Sequence, residues 1–191
     1  SHQSIHCLLE DDEALRLQLL VDINNADINN RKQSRLFYGT QSAGNLFKRN
    51  ESSFKKLELG LKEAISKYYD LYKNEDCEFI KSFPKQIEFS SSWFVKMQSG
   101  GHLTSHIHED GWISGAIYLS IPNKTKTQDE GAIELSTHGD DYPIINDDFP
   151  KKVIKPKEGD VIFFPSSVFH RTIPFESDEE RICIAFDLKP S

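Results

Sequence analysis

From Pro84 to the C-terminus the chain is built of short β-rich runs, each cut off by turn residues, and this punctuation constrains the fold more than any other feature. The runs are Ser91–Met97, Leu103–His108, Ile113–Ile121, Ala132–Leu135, Lys152–Ile154, Val161–Phe164, Val168–Ile173 and Arg181–Leu188. Breaks fall at Gly100-Gly101, Gly111, Pro122-Asn123, Gly139-Asp140, Gly159-Asp160, Pro165 and Ser177-Asp178. β-Branched and aromatic residues fit a pleated, half-buried surface, whereas Gly, Pro, Asn and Asp supply the backbone angles of turns. Strands this short must bury a face against a second sheet, so the pattern predicts a mainly β double-sheet jelly roll.

The preceding residues carry a different period. Between Asn50 and Asn74, the apolar residues Phe54, Leu57, Leu61, Ala64, Ile65, Tyr68 and Tyr72 recur at three- and four-residue steps, one face of an amphipathic helix that Asn50 is placed to cap. Leu8, Leu9, Leu15, Leu19, Leu20 and Ile23 suggest a shorter helix with an acidic first turn at Glu10 to Glu13. The Asn-rich stretch from Asn24 to Arg35 and the segment Gly39 to Gly44 read as loops. No Pro/Gly/Ser-rich linker divides the chain. One domain over residues 1–191 is therefore expected, with residues 1–85 as helical support and residues 86–191 as the β core.

Composition excludes several function classes. The balance of 23 Lys and Arg against 30 Asp and Glu gives a net charge of −7, spread without a basic cluster, so no nucleic-acid partner is expected. No apolar run is long enough for a membrane span, and no secretion signal is visible. The three cysteines, Cys7, Cys77 and Cys183, form no C-x-x-C pair, which excludes a Cys-rich zinc or iron–sulfur site. So sparse a set fits a reducing compartment, and a cytoplasmic location is expected.

The histidines carry the chemistry. On a strand over Leu103–His108, side chains at alternate positions share a face, so His106, His108 and Asp110 are expected to project together. His170, after the apolar run Val161–Phe164, is the natural third ligand from a distant strand. Imidazole suits iron, zinc, copper and nickel alike, so residue type leaves the metal open. His102, beside the Gly-Gly turn, and His138, in a polar loop, are not expected as ligands.

Three segments together carry a family likeness: Ser92-Trp-Phe-Val-Lys-Met97, Gly100-Gly-His-Leu-Thr-Ser-His-Ile-His108 and Gly111-Trp-Ile-Ser-Gly-Ala-Ile-Tyr-Leu-Ser-Ile-Pro122. With Pro156-Lys-Glu-Gly-Asp-Val-Ile-Phe-Phe-Pro-Ser167, His170 and Arg181 following in order, the sequence resembles the Fe(II)/2-oxoglutarate-dependent oxygenases of the prolyl-hydroxylase-like branch, in an H-x-H variant. The likeness runs from residue 91 to residue 188, and extends less specifically to Arg35–Phe47 and the helix after it.

The resemblance implies a double-stranded β-helix and iron held by H-x-D/E…H, with three positions left for bidentate 2-oxoglutarate and O2. His106-Ile-His108 puts a histidine where the carboxylate normally sits, whereas His108-Glu-Asp110 matches H-x-D literally. The favoured ligand set is His106, His108 and His170, with His108, Asp110 and His170 as the alternative. It also implies that Arg181 grips the distal carboxylate of 2-oxoglutarate through its bidentate fork, with Tyr118 adding a hydroxyl. Relatives often carry Arg-x-Ser here; this chain has Arg181-Ile-Cys183, and a thiol is a weak donor. Trp112 is a candidate substrate platform or a packing residue, and the polar insert Thr137–Asp148 a candidate lid.

The expected activity is therefore dioxygenation: hydroxylation of an unactivated C–H bond coupled to decarboxylation of 2-oxoglutarate to succinate. The branch tilts the unidentified substrate towards a peptide or protein side chain. Two rivals stand beside it, a cupin-like three-histidine iron dioxygenase that does not use 2-oxoglutarate, and a non-catalytic jelly-roll binding module.

Overall fold

The computed structural model describes residues 4–140, 142–144 and 149–191. Its elements in chain order are β1 (Ser4–Cys7), α1 (Glu13–Asn25), β2 (Asn30–Arg31), β3 (Leu36–Ser42), a 3₁₀ turn (Leu46–Lys48), α2 (Ser52–Tyr72), α3 (Glu78–Lys81), β4 (Ile87–Leu103), β5 (Ile113–Ser120), β6 (Ile133–Ser136), β7 (Lys151–Ile154), β8 (Asp160–Pro165), β9 (Phe169–Thr172) and β10 (Arg181–Pro190). They form a seven-stranded sheet, ordered β1-β8-β5-β10-β4-β3-β2, and a three-stranded sheet, β7-β6-β9. Neighbours in both sheets pair antiparallel. This is the double-sheet jelly roll that the punctuation predicts, in the double-stranded β-helix form that the resemblance implies. No helix among the described residues is long and apolar enough to cross a membrane.

Alternation along the central strands sorts the side chains into two layers. Ile182, Ile184, Phe186 and Leu188 of β10, Ile113, Ile117 and Leu119 of β5, and Val161 and Phe163 of β8 face the helices. There they meet Phe54, Leu57, Leu61, Ala64, Ile65 and Tyr68 of α2, the buried face expected from its spacing. Each such Leu, Ile or Phe contributes about 1.5–3 kcal/mol by leaving water, so α1 and α2 act as a lid on the back of the sheet. The opposite face of the same strands, with Ala116, Tyr118, Ile162, Phe164 and Cys183, joined by Val95 and Met97 of β4, packs towards the smaller sheet with Ile133, Leu135 and Ile154. Register sets Cys183 opposite Tyr118, Asp187 opposite Ser114 and also opposite Ser91, and Arg181 opposite Met97. The inner face of β10 thus carries Arg181 at one end and Asp187 at the other.

Several local expectations need correction. Residues 104–108 are not part of a strand. β4 runs unbroken from Ile87 to Leu103, and the chain then leaves the large sheet and touches the small one through a single bridge, His106 to His170. The Gly100-Gly101 pair does not end the strand but bulges it: Gly100 takes φ +82°, and the pairing to β3 slips between Phe37 and Gly39, where Tyr38 also has a positive φ of 48°. A Cβ at Gly100 would stand 3.2 Å from the Tyr38 ring.

The early part of the chain is not only helical. β1 extends the large sheet beside β8. β2 and the second half of β3, from Gly39, lie in stretches whose polar composition reads as loop, and they form strands because an available edge on β4 supplies the partner for β3. α1 starts only at Glu13, capped by Asp12, whose Oδ1 accepts from the Leu15 N–H at 2.9 Å. α2 starts at Ser52 with no side-chain cap, so Asn50 does not cap it. Of the expected lid over Thr137–Asp148, residues 141 and 145–148 lie outside the described residues.

Candidate active site

The segment after β4 delivers His106 and His108 to the space between the sheets. His106 and His170 exchange backbone hydrogen bonds, His106 N–H to the His170 carbonyl at 3.1 Å and His170 N–H to the His106 carbonyl at 2.9 Å. That bridge fixes their rings at a centroid separation of 4.3 Å. The His108 N–H donates to the Ser166 carbonyl at 3.1 Å, which brings its ring 4.9 Å from that of His170.

One ring nitrogen from each of the three histidines lies within 4.8 Å of the others. The remaining nitrogens are committed. His106 Nδ1 faces the Thr104 carbonyl at 2.7 Å, His170 Nδ1 the Val168 carbonyl at 3.2 Å, and His108 Nδ1 the Asp187 Oδ1 at 2.5 Å. Since carbonyl and carboxylate oxygens only accept, each Nδ1 carries the proton and each Nε2 presents its lone pair. Three such lone pairs directed at one point repel unless a proton or a metal cation lies between them. Burial works against the proton: it pushes His106 down to about 4, against the upward pull of the Thr104 carbonyl, and His170 well below its ordinary value. Three imidazoles held by their outer nitrogens are a donor set suited to a divalent transition metal.

Asp110 does not join them. It lies exposed in the turn after His108, at the cavity mouth, so the same-face expectation for His106, His108 and Asp110 fails with the strand on which it rested. His102 stacks on Phe37 at 4.8 Å, and His138 donates from Nε2 to the Tyr142 carbonyl at 3.0 Å. Trp112 stacks on Phe79 in the helix-side packing, as the packing alternative expects.

Beyond the histidines a cavity of about 70 Å³ reaches along the inner faces of β5 and β10 to Tyr118, Arg181 and Cys183. Arg181 is 2% exposed. Its Nε donates to the Gly131 carbonyl at 2.9 Å, its guanidinium carbon stands 5.0 Å over the Tyr118 ring and interacts with the Tyr118 hydroxyl, and its Nη1 makes long contacts to the sulfurs of Met97 and Cys183. Among the described residues no carboxylate pairs with it. A buried guanidinium costs several kcal/mol unless an anion meets it, and its unused N–H groups line this cavity. Burial pushes the Tyr118 hydroxyl up, so at neutral pH it remains a donor.

On the other side the histidines open to a broad trough of about 710 Å³, lined among others by Arg31, Gln41, Ser91, Trp93, Glu109 and Lys189. Arg35, just before β3, forms a bidentate pair with Asp140 at 2.7 Å on both arms, tying the β3 edge to the loop after β6 beside the trough. The β3 side of this wall escapes sequence reasoning because its residues are polar and its pairing is remote. Asp187 escapes it too, although the alternation that puts Cys183 on the Arg181 face reaches Asp187 by the same step of two.

The family profile described as "Putative 2OG-Fe(II) oxygenase" matches residues 91–187, just over half of the chain. No curated protein matches the sequence. Among solved structures, HygX from Streptomyces hygroscopicus, with nickel and 2-oxoglutarate bound, matches with a TM-score of 0.68 and 9% identity over 100% of this chain and 84% of that one. A Pseudomonas putida prolyl-4-hydroxylase matches at 0.63 and 13%, over 99% and 92%. A Trichoplax adhaerens prolyl hydroxylase, in complex with a hypoxia inducible factor peptide fragment, matches at 0.61 and 15%, over 97% and 83%. At such identities these structures speak for the fold, and the profile speaks for the lineage. The chain belongs to the 2OG-Fe(II) oxygenases, enzymes that depend on iron(II), 2-oxoglutarate and O2.

Proposed function

We propose that this protein hydroxylates an unactivated C–H bond in a peptide or protein side chain, with iron held by His106, His108 and His170 and 2-oxoglutarate anchored by Arg181. The observation that carries the reading is the buried Arg181 guanidinium, without an anionic partner among the described residues, in the same cavity as the three convergent histidines. A dianion with a carboxylate at one end and a 2-oxo acid at the other spans such a pair of sites. A three-histidine dioxygenase working without 2-oxoglutarate has no use for that guanidinium.

When bound, iron(II), 2-oxoglutarate and O2 supply the oxidising power: 2-oxoglutarate yields succinate and CO2, one oxygen atom enters succinate and the other enters the substrate C–H bond. The protein's own residues bind, orient and exclude. Arg181 takes the distal carboxylate in a bidentate grip, and the Tyr118 hydroxyl donates beside it. Val95, Ile133, Phe164 and Ala185 line the passage between Arg181 and the histidines and keep it poor in water. Neutral His106 and His170 keep their Nε2 lone pairs free for the metal. The trough, open and lined with Gln, Ser and charged side chains, suits a polar chain laid across it rather than a small apolar ligand engulfed. The peptide complex of the Trichoplax relative supports that class of substrate.

The test is anaerobic loading with Fe(II), metal analysis, and then succinate release from 2-oxoglutarate under O2, with and without a peptide library. Iron at one equivalent and peptide-stimulated succinate, with a mass gain of one oxygen on the peptide, are expected. Iron and 2-oxoglutarate binding without any peptide response would overturn the substrate class.

A further inference from the structure

We propose that Asp187 is a positioning residue for the metal site: it holds His108 in the tautomer that presents Nε2 and returns to a three-histidine site the negative charge it lacks. This rests on the assignment of His106, His108 and His170 as the metal ligands.

The three histidines are not backed alike. His106 and His170 lean on backbone carbonyls, which are neutral. His108 alone leans on a carboxylate, with Nδ1 2.5 Å from Asp187 Oδ1. His108 is also the residue that stands where the H-x-D/E formula places the acid. Asp187 is itself held from both sides: the Ser114 hydroxyl donates to Oδ1 at 2.6 Å, and the Ser91 hydroxyl donates to Oδ2 at 3.1 Å. Ser114 Oγ also lies 2.8 Å from Ser166 Oγ and 3.1 Å from His108 Nδ1. A carboxylate oxygen can only accept, so its 2.5 Å contact to His108 Nδ1 puts the hydrogen on that nitrogen. The side chains of His108 and Asp187 are only 16% and 13% exposed, so the contact is little screened.

The backbone makes room for this arrangement. A Cβ at Gly111 would fall 2.4 Å from Ser166 Oγ and 3.5 Å from Asp187 Oδ1, so glycine lets the turn after His108 lie directly against the network. Asp187, Ser114 and Ser91 reach it from three adjacent strands in register, β10, β5 and β4. A carboxylate on the far nitrogen of an imidazole fixes its rotation and makes Nε2 a stronger ligand. The inner face of β10 would then serve both halves of the site, the cosubstrate through Arg181 and the metal, indirectly, through Asp187.

The test uses Co(II) under anaerobic conditions as probe, with affinity read by calorimetry and coordination by the visible d–d spectrum. The proteins are the wild type, Asp187→Asn, Asp187→Ala, Ser91→Ala and His106→Ala. Asp187→Asn keeps volume and an acceptor but removes the charge, so it separates electrostatics from packing should the alanine variant fold poorly. A loss of about 10- to 100-fold in Co(II) affinity is expected for Asp187→Asn, with a shifted spectrum, and near-wild-type behaviour for Ser91→Ala. Long-range ¹H–¹⁵N spectra of the metal-free protein should show His108 protonated at Nδ1 in the wild type and mixed in Asp187→Ala, a readout that loss of packing alone would not move. Wild-type affinity and spectrum in Asp187→Asn would overturn the proposal while leaving the three-histidine site standing. Failure of the wild type to bind Co(II), or undiminished binding by His106→Ala, would instead remove the metal assignment and the proposal with it.

Discussion

Truncating Arg181 to alanine tests the reaction class, because only a 2-oxoglutarate enzyme needs a buried cation at that place. The guanidinium has five N–H donors; Nε–H goes to the Gly131 carbonyl, and Nη1 makes only long contacts to the sulfurs of Met97 and Cys183 at 4.0 and 3.9 Å. Two of the rest would form a bidentate grip on the distal carboxylate. At a charge separation of about 4 Å and an effective dielectric near 20, opposite unit charges attract by about 4 kcal/mol. Removing one member of a buried, hydrogen-bonded pair typically costs about 2–5 kcal/mol, or roughly 30- to 5,000-fold in affinity. Lys155 tempers the loss. Its charge is disfavoured first by burial and then by the nearby Arg181, so it lies within electrostatic reach and leaves some positive potential behind. The expected weakening is therefore in the lower part of the range, about 30- to 300-fold. Anaerobic calorimetry with the iron-loaded protein reads it directly, and iron binding itself should be unchanged because Arg181 is not one of the converging ligand groups. Arg181→Lys should recover part of the affinity, since it keeps the charge and loses the fork. Wild-type affinity for 2-oxoglutarate in Arg181→Ala would refute the reasoning and place the anchor elsewhere.

The ligand set is tested by three single changes read as Fe(II) affinity: His106→Ala and His170→Ala are expected to abolish tight binding, and Asp110→Ala to leave it intact. The opposite result for His106 and Asp110 would move the site to His108, Asp110 and His170. Gly115→Ala would push a Cβ to 2.6 Å from both the Ile162 carbonyl and the Phe186 ring. A loss of about 1–3 kcal/mol in urea unfolding is expected from that overpacking, and an unchanged midpoint would show that β5 yields freely. Asp12→Ala should cost about 1 kcal/mol by removing the α1 cap, with no effect on metal or 2-oxoglutarate binding.

What the sequence makes legible here follows from whether the signal is local. β8 and β10 are mostly apolar runs set off by Gly, Pro or Ser-Asp, and their bounds fall within a residue or two of expectation. The α2 face is likewise written in its own spacing. β3 is different: Thr40 alone between Gly39 and Gln41 is too weak a local strand signal, and the three pair because the β4 edge is available. The 104–108 segment errs in the other direction, since its β-prone residues leave the sheet to reach His170. The three histidines meet all the same, through the His106–His170 bridge rather than through alternation. Arg181 is legible as the opening residue of the last strand. That Asp187 meets His108, 79 positions earlier in the chain, depends on the register of β10 against β5 and on the turn at Gly111, neither of which is written in one segment.

The pairing of His108 with Asp187 also bears on why this chain departs from the H-x-D formula. An aspartate at position 108 would bring a carboxylate oxygen to about the place of His108 Nδ1, which stands 2.5 Å from Asp187 Oδ1. Two carboxylates at about 3 Å repel by roughly 5 kcal/mol at an effective dielectric of 20, unless they share a proton. His108 and Asp187 thus form a matched set, and neither half can be exchanged alone for the carboxylate formula. His108→Asp is expected to weaken Co(II) binding sharply. Asp187→Asn, which weakens binding when His108 is present, should partly restore it in the double variant. This reversal of sign is a coupling that independent effects cannot produce. Anaerobic Co(II) calorimetry on the four proteins of the cycle reads it, and additive losses in the double variant would show that the two side chains act separately.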